Sequence, residues 1–333
     1  MEAPRVTMRQ VAAEAGVAVM TVSYTYTRPD RVAAATRARV LEAAQRLGYR
    51  GPDPVARSLR SGHTGNLGVV LGEHLTYAFE DPQAARFLAG VSQVCVAGRL
   101  GLVLIPSTGE PDDVDRVREA AVDGFVLWTT ADDDPVPAAA VATGRPVAIQ
   151  GGPAAPGVVV VSADDRAAAR AVGRHMLAGA RAPLVLSHPL DRRRWTGLVR
   201  GPDTDVPFPV TRARLAGYRD AAADVGRPWS DVPVAVVARN TRDDGRRAVE
   251  AATTQAGAPD VVLAMSDQLA AGALDALGAG VRVSGWDDSD LAAQLGFSSV
   301  RQSLFDQGVA CARVAAGLTS TVEPAAWDLA LRG

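Results

Sequence analysis

Arginine side chains are concentrated at the start of the chain, where they could bind a polyanion. Residues 1–62 contain ten Arg and five acidic residues, a net charge of +5, whereas the remaining residues carry a net charge of −7. All 35 basic residues are Arg, since the sequence contains no Lys. The absence of Lys excludes a Gly-Lys-Ser/Thr phosphate loop, a Schiff-base lysine and a lysine general base. The charge distribution indicates either a polyanion-binding module or a basic face that is solvated without a partner.

Residues that could perform catalysis or bind metal are isolated from one another. Cys95 and Cys311 are too few for a disulfide framework or a cysteine-based zinc site. The four His lack the spacing of metal ligands. Ser187 and His188 are adjacent, but no Gly-x-Ser-x-Gly motif surrounds them. We therefore predict no catalytic residue, no metal site and no cofactor.

The basic segment has the periodicity of three short helices. The predicted helices are Met8–Ala15, Met20–Tyr26 and Arg37–Leu47. Thr7 and Gln10 can form a capping box before the first helix, and Gly16 starts the turn to the second. Thr36 is the expected N-cap of the third helix, and Gly48 its C-terminal cap. Two helices joined by a short glycine-containing turn indicate a helix-turn-helix module.

The run VTMRQVAAEAGVAVMTVSYTYTRPDRVAAATRARVLEAAQRLGYR, residues 6–50, resembles the DNA-binding head of the LacI/GalR transcription regulators. The following PDPVARSLRSGHTGNLGVV resembles the hinge of that family and the start of its effector domain. The resemblance implies an all-α helix-turn-helix domain followed by a two-lobed, doubly wound parallel-sheet domain similar to periplasmic binding proteins.

The resemblance also implies that the second helix lies in the major groove of DNA. Val19 and Met20 could make only apolar contacts there, for example with a thymine methyl group. Tyr24 stands where the family usually has Arg, and Thr27 where it usually has Asn, so we expect an atypical operator half-site. Arg37, Arg39 and Arg46 are expected outside the helical core, available to phosphates. The predicted DNA-binding residues are Thr7, Val19, Met20, Thr21, Ser23, Tyr24, Thr25, Arg28, Arg31, Arg57, Leu59 and Arg60.

Pro54–Ser61 is a candidate hinge helix. A helix of about eight residues is marginal in water, so it should form only when a partner binds it. By resemblance, Leu59 would be the apolar wedge that kinks the central base step, and Arg57 and Arg60 would lie near phosphates. Alternatively, Leu59 packs between domains.

Beyond residue 65, apolar runs of strand length alternate with helical segments. The first set of strands is Leu67–Leu71, Leu102–Ile105, Phe125–Trp128, Val147–Ile149 and Val158–Val161. The second set is Leu184–Leu186, Val234–Val237, Val261–Ala264 and Val281–Gly285. The helices are Gln83–Gly98, Arg166–Ala178, Thr211–Asp224, Arg242–Thr254 and Gln268–Leu277. This alternation indicates two parallel sheets with a ligand cleft at the carboxyl ends of their strands.

Three regions follow from these patterns. Residues 1–50 are the expected DNA-binding domain, residues 51–64 the hinge and linker, and residues 65–333 the effector-binding domain. Within the last, the first lobe should contain residues 65–161 and 290–333, and the second lobe residues 162–289.

By resemblance, Arg214 and Asp287 are the charged anchors of the effector site. A guanidinium and a carboxylate together suit vicinal hydroxyl groups. The alternative is an ion pair between them that only joins two segments. The predicted effector-binding residues are Tyr77, Phe79, Gln150, Arg214, Ser266, Asp287 and Gln302.

These features predict a sequence-specific transcriptional regulator, a repressor that responds to a sugar or sugar-like metabolite. Its partners would be double-stranded operator DNA, the carbohydrate effector and a second copy of the chain. The effector could act as inducer or as corepressor. The sequence shows neither a signal peptide nor an apolar membrane segment, so we expect a cytoplasmic protein without a membrane partner. The alternatives are a free-standing sugar-binding protein and an enzyme on an α/β scaffold.

Overall fold

A computed structural model describes residues 6–52, 62–72 and 81–332. The chain divides into two compact units, residues 1–64 and 65–333. None of the helices within the described residues is long and apolar enough to cross a membrane. The predicted hinge helix, Pro54–Ser61, lies outside the described residues.

The first unit contains the three predicted helices. They are α1 (Met8–Ala15), α2 (Val19–Thr27) and α3 (Ala34–Leu47), with a 3-10 turn at Pro29–Arg31 before α3. The capping box is confirmed, because the Thr7 side chain accepts a hydrogen bond from the Gln10 amide while the Gln10 side chain accepts from the Thr7 amide. Val11, Val22 and Val40 are fully buried and join the helices in one small core.

The predicted start of the third helix is wrong. Helix α3 begins at Ala34 with Ala33 as its N-cap, and no side chain caps it. Thr36 lies inside the first turn instead. Alanine has the highest helix propensity, so the Ala33-Ala34-Ala35 run allows the helix to extend two residues beyond the hydroxyl that could have capped it.

The second unit begins with a five-stranded parallel sheet in the order β2-β1-β3-β4-β5. Its strands are β1 (Asn66–Leu71), β2 (Gly101–Pro106), β3 (Phe125–Leu127), β4 (Val147–Gln150) and β5 (Val158–Val161). The helices between them are α4 (Pro82–Gly98), α5 (Asp113–Glu119) and α6 (Val136–Ala142). Parallel strands covered on both faces are apolar throughout, which explains the continuous runs of Val, Leu and Ile.

A second sheet of seven strands has the order β12-β11-β10-β9-β6-β8-β7. Its strands are β6 (Pro183–Ser187), β7 (Gly197–Arg200), β8 (Pro233–Val236), β9 (Val261–Ala264), β10 (Arg282–Asp287), β11 (Ser298–Gln302) and β12 (Trp327–Ala330). The helices around it are α7 (Asp165–Leu177), α8 (Pro209–Asp224), α9 (Arg242–Ala256), α10 (Asp267–Leu277) and α11 (Asp290–Leu295). The inner strands are parallel, and the edge strands β7 and β12 are antiparallel to their neighbours. The predicted doubly wound two-lobed fold is thereby confirmed.

The predicted assignment of residues 290–333 to the first lobe is wrong for two parts of that segment, those that contain β11 and β12. Strand β11 pairs with β10, and β12 pairs with β11, so both extend the second sheet. Helix α12 (Leu304–Ala315) does return to the first lobe, where it packs along α4. The chain therefore crosses between the lobes after β11 and again before β12, because both strands pair in the second sheet whereas α12 packs in the first lobe.

Two glycines allow α4 and α12 to approach closely. A Cβ atom added to Gly90 would overlap the carbonyl oxygen of Phe305, and one added to Gly308 would overlap that of Phe87. Both obstacles are backbone atoms, so a side-chain rotation could not relieve the overlap. The return of α12 to the first lobe thus depends on these glycines.

We expect Gly90→Ala to destabilise the second unit by about 1–3 kcal/mol, because overpacking outweighs the gain in helix propensity. Urea unfolding followed by circular dichroism measures this change. Gly280→Ala is the matched control, since no atom lies within 4 Å of the added Cβ. A Gly90→Ala protein as stable as the control would contradict the packing argument.

Candidate effector cleft and nucleic-acid interface

The first turn of α2 presents apolar side chains to solvent. Met20 is 60% exposed and Val19 is 43% exposed. Thr21, Ser23 and Tyr24 are half-buried beside them. Ala18, the N-cap of α2, has no side-chain group to cap the first amides. The exposed side chains of this turn are therefore apolar, and no side chain caps its first amides.

Thr25 does not occupy the position expected of a phosphate contact. It is 3% exposed, and its hydroxyl donates to the Thr21 carbonyl oxygen at 2.9 Å. Residues 22 and 25 are three apart, so both fall on the helix face that packs into the core. The exposed Thr7 and Thr27 also use their hydroxyls locally, donating to Gln10 Oε1 and to the Ser23 carbonyl oxygen.

The arginines of the first unit differ in how far their charge is compensated. Arg28 and Arg31 are exposed and form no ion pair within the described residues, and the same holds for Arg37 and Arg39. Arg46, in contrast, pairs with Glu14 at 3.1 Å and Glu42 at 3.4 Å. Arg46 lies outside the core as predicted, with its side chain 56% exposed, but these two acids compensate part of its charge. Arg57, Leu59 and Arg60 lie outside the described residues.

In the second unit, Arg214 is buried and held by three other segments. Its Nε donates to Asp165 Oδ1 at 2.8 Å, and its Nη1 donates to the Met265 carbonyl oxygen at 2.6 Å. The guanidinium lies 3.8 Å from the centre of the Trp286 ring, within the range of a cation–π contact. The ion-pair partner of Arg214 is thus Asp165 at the start of α7. Sequence reading missed this residue, although an acid at a helix start was a usable signal.

Asp287 ends β10 in a turn that needs support. Asp287 and Asp288 have positive φ values of 100° and 48°, which carry strain for non-glycine residues. Arg301 and Arg332 hold Asp288 through hydrogen bonds of 2.7 and 2.6 Å. This clamp fixes the turn and hence the direction of the neighbouring Asp287 carboxylate.

The Asp287 carboxylate titrates abnormally. Burial raises its pKa to about 7 although the charge of Arg214 opposes the shift, and Asp267 contributes further in the upward direction. Gln302 Nε2 donates to Asp287 Oδ1 at 2.8 Å. Asp287 can therefore be a hydrogen-bond acceptor or a donor near neutral pH.

The remaining predicted effector residues belong to two polar contacts, one inside each lobe. Gln150, at the end of β4, is buried and donates to Gln307 Oε1 at 3.1 Å. Ser266 caps α10, and its hydroxyl donates to Asn240 Oδ1. Sequence reading missed both partners, Gln307 and Asn240. Tyr77 and Phe79 lie outside the described residues.

The Ser187-His188 pair is not arranged for nucleophilic attack. The Ser187 hydroxyl donates to the His188 carbonyl oxygen at 2.9 Å, and the serine is fully buried. Burial and the charge of Arg214 lower the pKa of His188 to about 3, which makes it a weak base near neutral pH. No cluster of His, Cys, Asp or Glu suited to a metal ion occurs among the described residues.

Known proteins combine the same features. Residues 7–51 match the family model of bacterial regulatory proteins of the lacI family, and residues 65–319 match that of periplasmic binding proteins and the sugar binding domain of the LacI family. A relative from Mycobacterium tuberculosis, the HTH-type transcriptional regulator Rv3575c, is 36% identical over 91% of this chain and 88% of its own length.

Solved structures agree with the sequence matches. A LacI-family transcriptional regulator from Corynebacterium glutamicum superposes with a TM-score of 0.73 at 28% identity, over 99% of both chains. The complex of the transcriptional regulator CelR with cellobiose superposes with a TM-score of 0.68 at 26% identity, over 98% of this chain and 99% of the other.

The fold and the site define a helix-turn-helix protein that carries a two-lobed ligand-binding domain. The chain belongs to the LacI family of bacterial regulatory proteins.

We expect the stability of the second unit to fall as pH rises from about 4 to about 7. The pKa of Asp287 is about 7 in the folded protein, against about 3.9 for an unfolded Asp. The folded state therefore binds more protons in this window, and raising the pH reduces the free energy of unfolding by up to about 1.4 kcal/mol per pH unit. Asp287→Asn should remove this loss, which urea unfolding at about pH 5 and about pH 8 measures.

Asp288→Asn is the control of opposite sign. Burial favours the neutral form of Asp288, but the hydrogen bonds from Arg301 and Arg332 prevail and lower its pKa. Its charge therefore stabilises the fold at neutral pH, and the variant should be less stable at about pH 8. An unchanged pH dependence in Asp287→Asn would refute this assignment.

Proposed function

We propose that the protein is a homodimeric transcriptional repressor that binds operator DNA through its helix-turn-helix unit and responds to a carbohydrate-like ligand at Arg214 and Asp287. The geometry of Arg214 carries the proposal. Its guanidinium has five N–H groups, of which Nε and Nη1 are engaged by the protein. Nη2 has no hydrogen-bond partner among the described residues, so it can donate to a ligand oxygen.

Asp287 supplies the complementary group. Its Oδ1 accepts from Gln302, and Oδ2 has no hydrogen-bond partner in the described parts of the chain. A fixed donor and a fixed acceptor at one site suit adjacent hydroxyl groups, which both donate and accept. The ligand named in the complex of the similar regulator CelR, cellobiose, is a molecule of this class.

Two ion pairs that join the lobes support a mechanism in which the ligand changes the arrangement of one lobe relative to the other. Arg192 binds Asp133 at 2.6 Å, and Arg212 pairs with Asp132. In each pair, one residue follows β3 of the first sheet and the other belongs to the second lobe. A ligand that prefers one arrangement of the lobes shifts their equilibrium and, by linkage, the affinity for DNA.

Homodimerisation is supported by exposed apolar groups on the first lobe. Val96 of α4 is 76% exposed, and Leu102 lies on β2, the edge strand of the sheet. A twofold dimer would bury these side chains and present two heads to a pseudo-palindromic operator. Binding to chromosomal DNA implies that the protein acts in the cytoplasm, at the nucleoid.

A regulatory role is favoured over an enzymatic one. Relatives of this chain are named transcriptional regulators. The depressed pKa of His188 and the inward-facing Ser187 hydroxyl provide no activated nucleophile at the cleft.

We expect the full-length protein to bind duplexes from its own upstream region, with log K falling against log salt with a slope of about −4 to −5 per head. Met20→Ala should weaken operator binding and leave binding to random DNA unchanged, because the apolar contact reads a base. Arg28→Gln should weaken both equally and reduce the salt slope by about 1. Fluorescence anisotropy measures all three affinities. Absence of operator binding at low salt would refute the DNA-binding role.

We expect sugars or polyols to raise the melting temperature of the wild-type protein in a thermal-shift panel. A ligand at a hundred times its Kd stabilises a protein by about 2.7 kcal/mol. Asp287→Asn should weaken binding at least about tenfold, since loss of a charged acceptor costs about 1.5–3 kcal/mol. Glu250→Gln, an exposed position on α9 away from the site, should keep the ligand-induced shift. Equal loss in both variants would argue against Asp287 as the ligand anchor.

A further inference from the structure

Three glutamine side chains form a continuous hydrogen-bonded relay that ends at Asp287. Gln150 Nε2 donates to Gln307 Oε1 at 3.1 Å, and Gln307 Nε2 donates to Gln302 Oε1 at 3.0 Å. Gln302 Nε2 then donates to Asp287 Oδ1 at 2.8 Å. The relay starts at the end of β4 in the first sheet and ends at β10 in the second sheet. It therefore runs from one lobe to the other and passes between them at Gln302 and Gln307, beside the point where the chain itself crosses.

The relay has one direction. Every amide N–H in it points toward Asp287, and every amide oxygen points toward Gln150. An ionised carboxylate can only accept hydrogen bonds, so the acceptor at the end of the relay determines the orientation of each amide before it. Gln307 is 1% exposed and Gln150 is 8% exposed, so water cannot readily replace the partners of a reversed amide. If one amide is reversed, its neighbours must reverse as well.

We propose that Gln307 is a positioning residue of the ligand site: it holds Gln302 as a donor to Asp287 and transmits the hydrogen-bonding state of Asp287 to Gln150 on the first lobe. The inference rests on the proposed ligand site and adds the route by which that site reaches the other lobe. With Gln302 bound to Oδ1, Oδ2 is left to accept from a ligand hydroxyl. Gln307 contacts no ligand in this scheme and acts through Gln302.

Protonation of Asp287 provides a way to test the relay without a ligand. The charged groups that face this carboxylate are Arg214, Asp267 and Asp81, and burial together with the two acids raises its pKa to about 7. Protonation on Oδ2 removes the negative charge and weakens the hydrogen bond from Gln302 to Oδ1, whereas protonation on Oδ1 turns the Gln302 amide oxygen toward Asp287. In both cases the hydrogen bonds of Gln307 and Gln150 change with that of Gln302.

The experiment follows the side-chain amide signals of the full-length protein, labelled with ¹⁵N in glutamine side chains, by NMR between about pH 5.5 and about pH 8.5. We expect the signals of Gln302, Gln307 and Gln150 to titrate with one common midpoint. In Gln307→Leu, the Gln302 signal should still titrate, whereas the titration of the Gln150 signal should be lost. Asp287→Asn should abolish the common titration.

Two further variants separate transmission from packing. Gln307→Glu places a carboxylate beside Gln302. The Gln302 amide would then donate to this Glu and turn its oxygen toward Asp287, which favours the protonated form of Asp287. The common midpoint should therefore rise. Gln294→Leu is the matched control, because Gln294 is exposed on α11 and lies outside the relay. If Gln307→Leu fails to fold, the midpoint shift of Gln307→Glu decides the question.

The proposal is overturned if Gln150 shows no titration in the wild-type protein, if it still follows Asp287 in Gln307→Leu, or if Gln307→Glu leaves the midpoint unchanged. None of these measurements uses DNA or a ligand. Failure here would remove the relay and leave the repressor proposal standing, which operator binding tests separately.

Discussion

The buried guanidinium of Arg214 is the constraint on which the arrangement of the second lobe depends. A charge removed from water must be compensated by hydrogen bonds and opposite charge, or the fold loses several kcal/mol. Arg214 meets this requirement with Asp165, the Met265 carbonyl oxygen and the Trp286 ring. These partners belong to α7, to the segment after β9 and to β10, and Arg214 itself belongs to α8. One side chain thus fixes four elements at the carboxyl end of the sheet.

The same constraint sets the chemistry of the cleft. The charge of Arg214 lowers the pKa of His188, while burial raises the pKa of Asp287 despite the cation nearby. The first residue is a neutral imidazole, and the second lies close to its titration midpoint at neutral pH. Two side chains of one cleft thus have pKa values shifted in opposite directions, and both shifts come chiefly from burial.

Sequence reading succeeded where the signal is local. The capping box at Thr7, the glycine C-caps of the first and third helices and the apolar strands all depend on residues a few positions apart. The bounds of the predicted strands agree with the structure to within two or three residues. Thr25 was misassigned because its hydroxyl bonds to a carbonyl oxygen of its own helix. Thr36 was misassigned because the alanine residues before it extend the helix toward the N-terminus. Strands β11 and β12 were placed in the wrong lobe because sheet membership depends on pairing with distant strands. Gln307 was overlooked for the same reason, since its partner Gln150 is 157 positions away.

The places where the chain passes between the lobes are bonded to one another. Ala325 donates its amide proton to the Ser162 carbonyl oxygen at 3.0 Å, and Gln302 pairs with Trp327 across β11 and β12. If the lobes rotate against each other, crossings tied together in this way would act as the pivot. The far edges of the lobes would then move most, and atoms beside the pivot would hardly change their separation. Gln302 lies on this pivot, whereas Asp132 and Asp133 lie in the loop beyond β3. Opening and closing would therefore break the ion pairs of that loop and leave Gln302 next to Asp287 throughout the motion.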